Sequence, residues 1–149
     1  MIDANAPCIY ETCSLYGEES KNPLLTKRGL IPFDYVKPRH FLPAFQSIAA
    51  EVEPMLQEIE NNPSPTWESV IYPLENIEEK VFRVVGPMLH LLIVTDCDEM
   101  REAWSYVEPL VTQFELRLKQ SSKLYEAFEA IKESSAWDKL DEVQKRIID

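Results

Sequence analysis

The sequence predicts an all-α fold of four or five helices, and three observations lead to that prediction. Apolar residues recur every three or four positions from residue 38 to the end of the chain. Only three glycines occur among the 149 residues, which disfavours a β architecture with glycine-rich turns. Hydrophobic residues make up 45% of the chain, as in an ordinary globular domain. We therefore expect one domain of kinked, mainly antiparallel helices that follow an extended N-terminal arm.

The N-terminal part of the chain lacks this helical pattern. Residues 1–21 mix Asn, Pro, Ser and acidic residues without a sustained hydrophobic period, so they should form a flexible or draped arm. Residues 22–37 are rich in proline and glycine, and a residue that precedes proline is pushed away from helical geometry. We expect this second segment to be an extended lead-in to the first helix.

Two long helices should follow Pro38. The turn-forming residues 61–65 end the first, and Thr66 is a suitable N-cap for the second. The second pattern can run to Val94. Its apolar residues alternate between spacings of three and four, and those of the first helix recur at three or four residues. The first stripe is Phe41, Phe45, Ile48, Val52, Leu56 and Ile59, and the second is Trp67, Val70, Leu74, Ile77, Val81, Val84 and Met88.

Three further helices complete the prediction. Asp96 followed by Glu99 resembles a capping box that opens the third helix, and Ser121-Ser122 separates it from a fourth. Leu140-Asp141 should begin a fifth, and its pattern reaches Asp149 without a stop signal, so we expect the helical segment 22–149 to be truncated at its C-terminal end. The three stripes are Met100, Trp104, Val107, Val111, Phe114 and Leu118; Leu124, Phe128 and Ile131; and Val143, Ile147 and Ile148.

Prolines within these patterns predict bends. Pro54, Pro73, Pro87 and Pro109 fall inside otherwise continuous stripes, where each removes a backbone donor. We expect kinks at these four positions, absorbed by tertiary packing.

Charge and cysteine content exclude several classes of protein. The net charge of −11, from 26 acidic and 15 basic residues, argues against binding to nucleic acid or to an anionic membrane. Three cysteines, Cys8, Cys13 and Cys97, make a secreted disulfide framework improbable because their number is odd. A cytoplasmic location fits best, and an organellar one stays open.

The two histidines, His40 and His90, do not stand in a metal-binding spacing. A catalytic zinc commonly takes three protein ligands, and the His-Glu-x-x-His pattern is missing. We interpret His40 as a surface or packing residue of a first helical turn, and His90 as a partly buried residue with one local hydrogen bond. Residues 96–99, Asp-Cys-Asp-Glu, contain ligand types but need no metal as a loop and helix cap.

The other candidates for chemistry also have structural explanations. Glu75, Glu78 and Glu79 alternate with the second apolar stripe and should project into solvent. No nucleophile motif surrounds a serine, and three isolated glycines cannot form a phosphate-binding loop. We therefore predict no catalytic, cofactor-binding or metal-ligating residue in this chain. Aromatic residues at helical spacing should pack in the core, namely Trp67, Trp104, Trp137, Phe114 and Phe128.

A series of short motifs runs in order from residue 22 into the third predicted helix. The motifs are Asn22-Pro23-Leu24-Leu25, Gly29-Leu30-Ile31-Pro32-Phe33, Lys37-Pro38-Arg39-His40, Pro65-Thr66-Trp67, Tyr72-Pro73-Leu74-Glu75 and Arg101-Glu102-Ala103. On these motifs taken together, the chain from about residue 22 to its end resembles the N-terminal region of the M3 family of zinc metallopeptidases. The resemblance is to members of the thimet oligopeptidase and oligopeptidase A type.

This resemblance implies a mostly helical shell around a deep channel whose restricted access favours short peptides. In that family a distant helix supplies two histidines and a general-base glutamate, and another glutamate completes the zinc site. None of these residues maps onto the present sequence. The resemblance thus implies zinc in a missing region and no cofactor in this chain. The implied partners are the catalytic remainder of the same polypeptide and, in the intact enzyme, short peptides.

Two functions are consistent with these observations. The chain is either the shell or access part of a soluble zinc-dependent oligopeptidase, inactive alone, or a standalone helical module that binds a protein or peptide without catalysis. The first requires coding sequence beyond Asp149 that contains His-Glu-x-x-His. The second requires a native polypeptide of this length with a specific partner. Independent catalysis would require peptide hydrolysis by the purified chain.

Overall fold

A computed structural model describes residues 22–26, 29–62 and 64–149, and these residues form an all-α structure without strands. The N-terminal arm predicted for residues 1–21 lies outside them. No helix within the described ranges is long and apolar enough to cross a membrane. The described α-helices are α1 (Phe41–Glu60), α2 (Tyr72–Thr95), α3 (Asp98–Lys119), α4 (Ser122–Glu133) and α5 (Glu142–Ile148).

The first three helices pack in an up, down, up order. Asn62, just after α1, donates to Ser69, just before α2, and Lys80 farther along α2 lies 2.6 Å from Glu51 farther back in α1. These consecutive helices therefore run antiparallel. The first turns of α2 and the last turns of α3 line one groove, which makes this pair antiparallel as well. The ends of α1 and α3 meet where Arg117 binds Glu60, so α1 and α3 run parallel. Helix α4 then packs against α1 and the turn before α2.

The predicted apolar stripes form the core, most completely in α1. All six stripe residues of α1 are buried, and they contact α2, α3 and α4. In the second stripe four residues are buried and three are partly buried against the core, namely Val70, Ile77, Val84 and Met88, and Trp67, Leu74 and Val81. In α3 only Met100 and Val107 are fully buried, and the other stripe residues are partly buried against the core. The five aromatic residues expected in the core are likewise partly buried against it.

The stripe predicted for α5 is only partly correct. Ile148 is buried, whereas Val143 and Ile147 are 65% and 52% exposed. Residues four apart share a face of a helix, so these two side chains form an apolar face that no described element covers. The side of α5 that carries Ile148 therefore packs against the core, and the side that carries Val143 and Ile147 is exposed to solvent.

The entry into α2 is capped as the sequence predicted. The Ser69 backbone N–H donates to Thr66 Oγ1 at 3.2 Å, and the Thr66 N–H donates to Ser69 Oγ at 2.9 Å. A π-helical turn, Trp67–Ile71, then leads into the α-helix. Pro73 is the second residue of α2 and has no backbone N–H to donate. The wide π turn before it accommodates this missing donor. Pro73 thus lies at a helix start rather than inside a helix.

The capping box predicted at Asp96 is wrong. Asp96 has a φ of 41° and ends α2 in the left-handed conformation, which aspartate tolerates better than most residues. Cys97 takes the N-cap position of α3. Reversal of the chain within two residues requires the left-handed position, so Asp96 serves the preceding helix instead of the following one.

The break predicted at Ser121-Ser122 and the helix start predicted at Leu140-Asp141 are confirmed, and both helices are capped. Ser121 Oγ accepts a hydrogen bond from the Leu124 N–H at 3.3 Å, and Asp141 Oδ1 accepts one from the Gln144 N–H at 2.8 Å. The Gln144 side chain returns a hydrogen bond by accepting from the Asp141 N–H. The other three prolines lie inside α1, α2 and α3, and the kinks expected there stay predictions.

The lead-in before α1 is less extended than expected. Two short 3-10 turns, Pro23–Leu25 and Phe33–Tyr35, interrupt it, and Leu24 and Val36 are buried. Two hydrogen bonds attach it to the helices. The Asn22 side chain donates to the His40 carbonyl at 2.8 Å, and the guanidinium of Arg83 in α2 donates to the Thr26 carbonyl at 3.2 Å.

His40 also turns the chain into α1. The Lys37 N–H donates to His40 Nδ1 at 3.0 Å, so the neutral ring satisfies a backbone donor at the helix start. Burial lowers the pKa of His40 below its ordinary value of 6.5, and the positive charges of Arg39 and Lys37 lower it further. Protonation at Nδ1 would remove the acceptor and place a third charge beside these two.

The carboxylate of Glu60 joins three helices at one end of the structure. Arg117 of α3 donates two hydrogen bonds to it, at 2.6 and 2.7 Å, and Ser121 donates a third from the start of α4. The Glu60 side chain is only 6% exposed. The hydrogen bonds from Arg117 lower its pKa from 4.5 to about 2, although burial alone would raise it.

We expect Glu60→Gln to lower the free energy of unfolding by about 1 to 3 kcal/mol, because a neutral amide leaves the Arg117 guanidinium without its hydrogen-bonded carboxylate, with Glu53 3.8 Å away. Urea denaturation at neutral pH measures the change. Glu58→Gln, at an exposed position of the same helix, is the matched control and should change stability by less than about 0.5 kcal/mol. Equal effects of the two substitutions would contradict this role of Glu60.

The stabilisation by Glu60 should depend on pH. A carboxyl group whose folded-state pKa is depressed contributes fully above its unfolded value of 4.5, and the contribution is lost as the pH falls towards about 2. The difference in unfolding free energy between the wild type and Glu60→Gln should therefore shrink between pH 7 and pH 3. A constant difference over that range would show that the charge of Glu60 has no part in it.

His40 should weaken the fold as the solution becomes mildly acidic. Its folded-state pKa is lower than its unfolded value of 6.5, so the unfolded chain takes up a proton first and stability falls as the pH drops below 6.5. His40→Gln keeps an acceptor but does not titrate, and it should flatten the dependence of the unfolding free energy between pH 7.5 and 5.5. His90→Gln, at the exposed histidine, is the matched control, and equal flattening by both substitutions would contradict this role of His40.

Candidate functional site

The two histidines do not form part of a metal site. His40 Nδ1 already accepts the hydrogen bond from Lys37. His90 is exposed, contrary to the partial burial expected, and its ring meets the edge of Phe33 with centroids 5.4 Å apart. Across the described ranges, no three His, Cys, Asp or Glu side chains are grouped as metal ligands. The side chains of this described part of the chain therefore do not provide a ligand set for a zinc ion.

The acidic residues between α2 and α3 bind a guanidinium group. Arg101 pairs with Asp96 and with Asp98, so both carboxylates are engaged by one side chain of the first turns of α3. The three groups are half or more exposed, and the pairing holds the two-residue connection against the helix that follows it. This arrangement agrees with the interpretation of residues 96–99 as a structural loop.

A groove of about 660 Å³ runs between α2 and α3, and its lining is largely apolar. Partly buried side chains that pack on the core form much of its lining, including Val81, Phe114 and Leu118. Phe82 and Leu89 of α2 also line the groove, and they are 71% and 41% exposed. The groove thus offers apolar surface that the described residues leave in contact with water.

The apolar lining continues along α2 beyond the groove. Phe82, Leu89 and Ile93 are spaced seven and four apart, which sets them on one face of the helix, and Ile93 is 80% exposed. The ring of Phe82 lies over Gly86, 3.4 Å from the point where a Cβ would stand. Because Gly86 has no side chain, nothing projects from this position between Phe82 and Leu89. We call Phe82, Leu89 and Ile93 the outer face of α2.

Carboxylates line the other end of the groove. Glu75, Glu78 and Glu79 lie on the first two turns of α2 and are exposed, as the sequence predicted. Glu115 of α3 faces them across the groove, and Lys119 lies 3.3 Å from it as an exposed ion pair. The groove is therefore apolar towards the end of α2 and acidic towards its start.

A second groove, of about 720 Å³, lies between α1 and α3 and has a different character. Phe45 and Ala49 contribute apolar surface, but Arg117 and glutamine side chains share the lining. Arg117 is already bound to Glu60 and lies 3.8 Å from Glu53. The charged groups that line it are engaged within the fold, so the α2–α3 groove is the better candidate for recognition.

Sequence reasoning found the inner stripe of α2 and missed its outer face. The signal was present, because Phe82, Leu89 and Ile93 recur at helical spacing next to the stripe that forms the core. A helix with apolar residues on two sides is typical of one that packs between partners. Chemically, the groove contains no nucleophile paired with a base, and its features suit binding rather than catalysis.

Comparison with known proteins gives the family. Residues 45–149 match the family described as "Neurolysin/Thimet oligopeptidase, N-terminal domain". The chain is 38% identical over 130 residues to "Organellar oligopeptidase A, chloroplastic/mitochondrial" of Arabidopsis thaliana, covering 87% of this chain and 16% of the relative. It is 37% identical to "Probable cytosolic oligopeptidase A" of the same plant, over 87% of this chain and 18% of the relative.

A bacterial relative is similar over nearly the same extent. Oligopeptidase A of Haemophilus influenzae is 32% identical over 128 residues, which cover 86% of this chain and 19% of the relative. The chain spans less than a fifth of the length of these relatives. The family match covers well over half of the chain, and the all-α fold agrees with the one that the sequence motifs implied. The chain therefore belongs to the M3-type neurolysin/thimet oligopeptidase family and represents its N-terminal domain.

Proposed function

We propose that the chain is the N-terminal shell or access part of a zinc-dependent oligopeptidase that cleaves short peptides, and that it is inactive alone. The observation that carries this proposal is the similarity of 87% of the chain to a protein named an oligopeptidase, of which it covers only 16%. More than four fifths of such a polypeptide is then left to supply the catalytic residues. The role of the present chain is structural.

We assign the zinc to that remainder. His40 uses Nδ1 as an acceptor for the Lys37 N–H, and His90 stands exposed beside Phe33. A zinc site that binds and activates water takes three protein ligands arranged around one open position. The described side chains do not offer such a set, so this chain needs no cofactor for its own role.

We further propose a cytoplasmic location, with an organellar one as the alternative. One Arabidopsis relative is named as cytosolic and another as chloroplastic or mitochondrial, so both locations occur among similar proteins. The proposed partners are the catalytic remainder of the polypeptide and, in the intact enzyme, short peptides. With a net charge of −11, neither nucleic acid nor anionic membrane is a proposed partner.

The test compares the complete gene product with the 149-residue chain in hydrolysis of short fluorogenic peptides. We expect hydrolysis by the complete protein, loss on chelation and recovery with zinc, because the metal site lies in the remainder. The 149-residue chain should give no turnover above the background of buffer and zinc. Chelator-sensitive hydrolysis by the short chain would contradict the proposal, as would a stop codon directly after Asp149 in the native gene.

The α2–α3 groove favours a second candidate, a standalone module that binds a protein or peptide without catalysis. The exposed Phe82 and Leu89 are the specific observation behind it. Immunoblots of the native source distinguish the two candidates. A polypeptide of only this length, with a specific partner in pull-down, would favour the module, whereas a full-length product alone would count against it.

A further inference from the structure

We propose that the α2–α3 groove and the outer face of α2 form the docking surface for a basic, amphipathic helix from the part of the same polypeptide outside these 149 residues. This inference rests on the proposed function, because that function supplies the remaining polypeptide. It adds which surface of the chain meets the remainder and the chemistry of the segment that covers it.

The apolar half of the surface calls for a helical occupant. Phe82, Leu89 and Ile93 are 71%, 41% and 80% exposed and lie in a line along α2. The adjacent groove is lined by Val81, Phe114 and other side chains that pack on the core, so its floor is fixed by the fold. An apolar groove between two helices, with a floor fixed by the fold, is the kind of site that accepts the apolar face of a third helix.

The acidic half determines the charge and direction of that helix. Glu75, Glu78 and Glu79 face Glu115. Among the described residues that line this groove, only Lys119 is basic, and it is paired with Glu115. A helix that places Lys or Arg over the start of α2 and apolar residues over Phe82 and Leu89 would match both halves. The reverse orientation would leave cations over the outer face and apolar side chains among carboxylates.

Charge also argues against a second copy of this chain as the occupant. Each copy carries a net charge of −11, and the groove adds a local excess of carboxylates, so two copies would meet with repulsion. The relatives are more than five times as long as the stretch they share with this chain, so an intramolecular occupant is available at high effective concentration. A helix of the same polypeptide is therefore the better occupant.

Site-specific photo-cross-linking in the complete gene product tests the proposal. A photoreactive phenylalanine analogue replaces Phe82, and mass spectrometry identifies the cross-linked peptides. We expect intramolecular links to one segment outside residues 1–149, with apolar residues at helical spacing and Lys or Arg at one end. The same label at Tyr125 of α4, which is 65% exposed, gives the matched background and should not link to that segment.

Charge reversal provides the second measurement. Glu78→Lys with Glu79→Lys should reduce the yield of the Phe82 cross-link about threefold, whereas Glu78→Gln with Glu79→Gln should reduce it less. Glu78 and Glu79 are both exposed, so the fold should tolerate either pair of substitutions. An increase of salt should also lower the wild-type yield, because exposed charges are screened.

Several outcomes would overturn the inference. They are links from Phe82 to a separate protein or to a second copy, links to a segment without basic residues, and the absence of any link above the Tyr125 background. An unchanged yield after charge reversal would remove the electrostatic part and with it the proposed occupant. A complete protein that hydrolyses peptides but gives one of these results would sink the docking proposal alone, whereas a gene that ends at Asp149 would sink the proposed function first.

Discussion

The buried carboxylate of Glu60 is the constraint on which the packing of the helices depends. It ends α1, receives two hydrogen bonds from Arg117 in α3, and receives a third from Ser121, which caps α4. One negative charge thus fixes the relative positions of three helices at the same end of the structure. Because α1 also contacts α2 along its apolar stripe, the position of α3 relative to α2, and with it the shape of the α2–α3 groove, follows from this connection.

Periodicity predicts much of this fold, and its failures have identifiable causes. The α1 stripe is buried as predicted because α2, α3 and α4 pack against α1 and one periodic signal decides its orientation. Asp96 is misassigned because the same residue types favour an N-cap and a left-handed helix end, and sequence alone does not show which helix claims them. Glu60 cannot be identified as a connector because its partner Arg117 lies 57 residues away.

The candidate site was less accessible to sequence reasoning than the fold. The acidic cluster was correctly placed in solvent, but whether it faces open water or a groove depends on how α3 lies against α2. The outer face of α2 was overlooked because the inner stripe explained the helix sufficiently. A family assignment does not depend on these details. It follows from ordered motifs spread over the chain, and the match over residues 45–149 agrees with them.

The hydrogen bond at His40 carries a consequence for the compartments in which this scaffold can work. Protonation of His40 removes the hydrogen bond from the Lys37 N–H that closes the turn between the lead-in and α1. Glu60, in contrast, keeps its charge until the solution is strongly acidic. The two connections together make a structure that is best held at neutral or mildly alkaline pH. In a mildly acidic compartment the chain would therefore loosen at its N-terminal entry first.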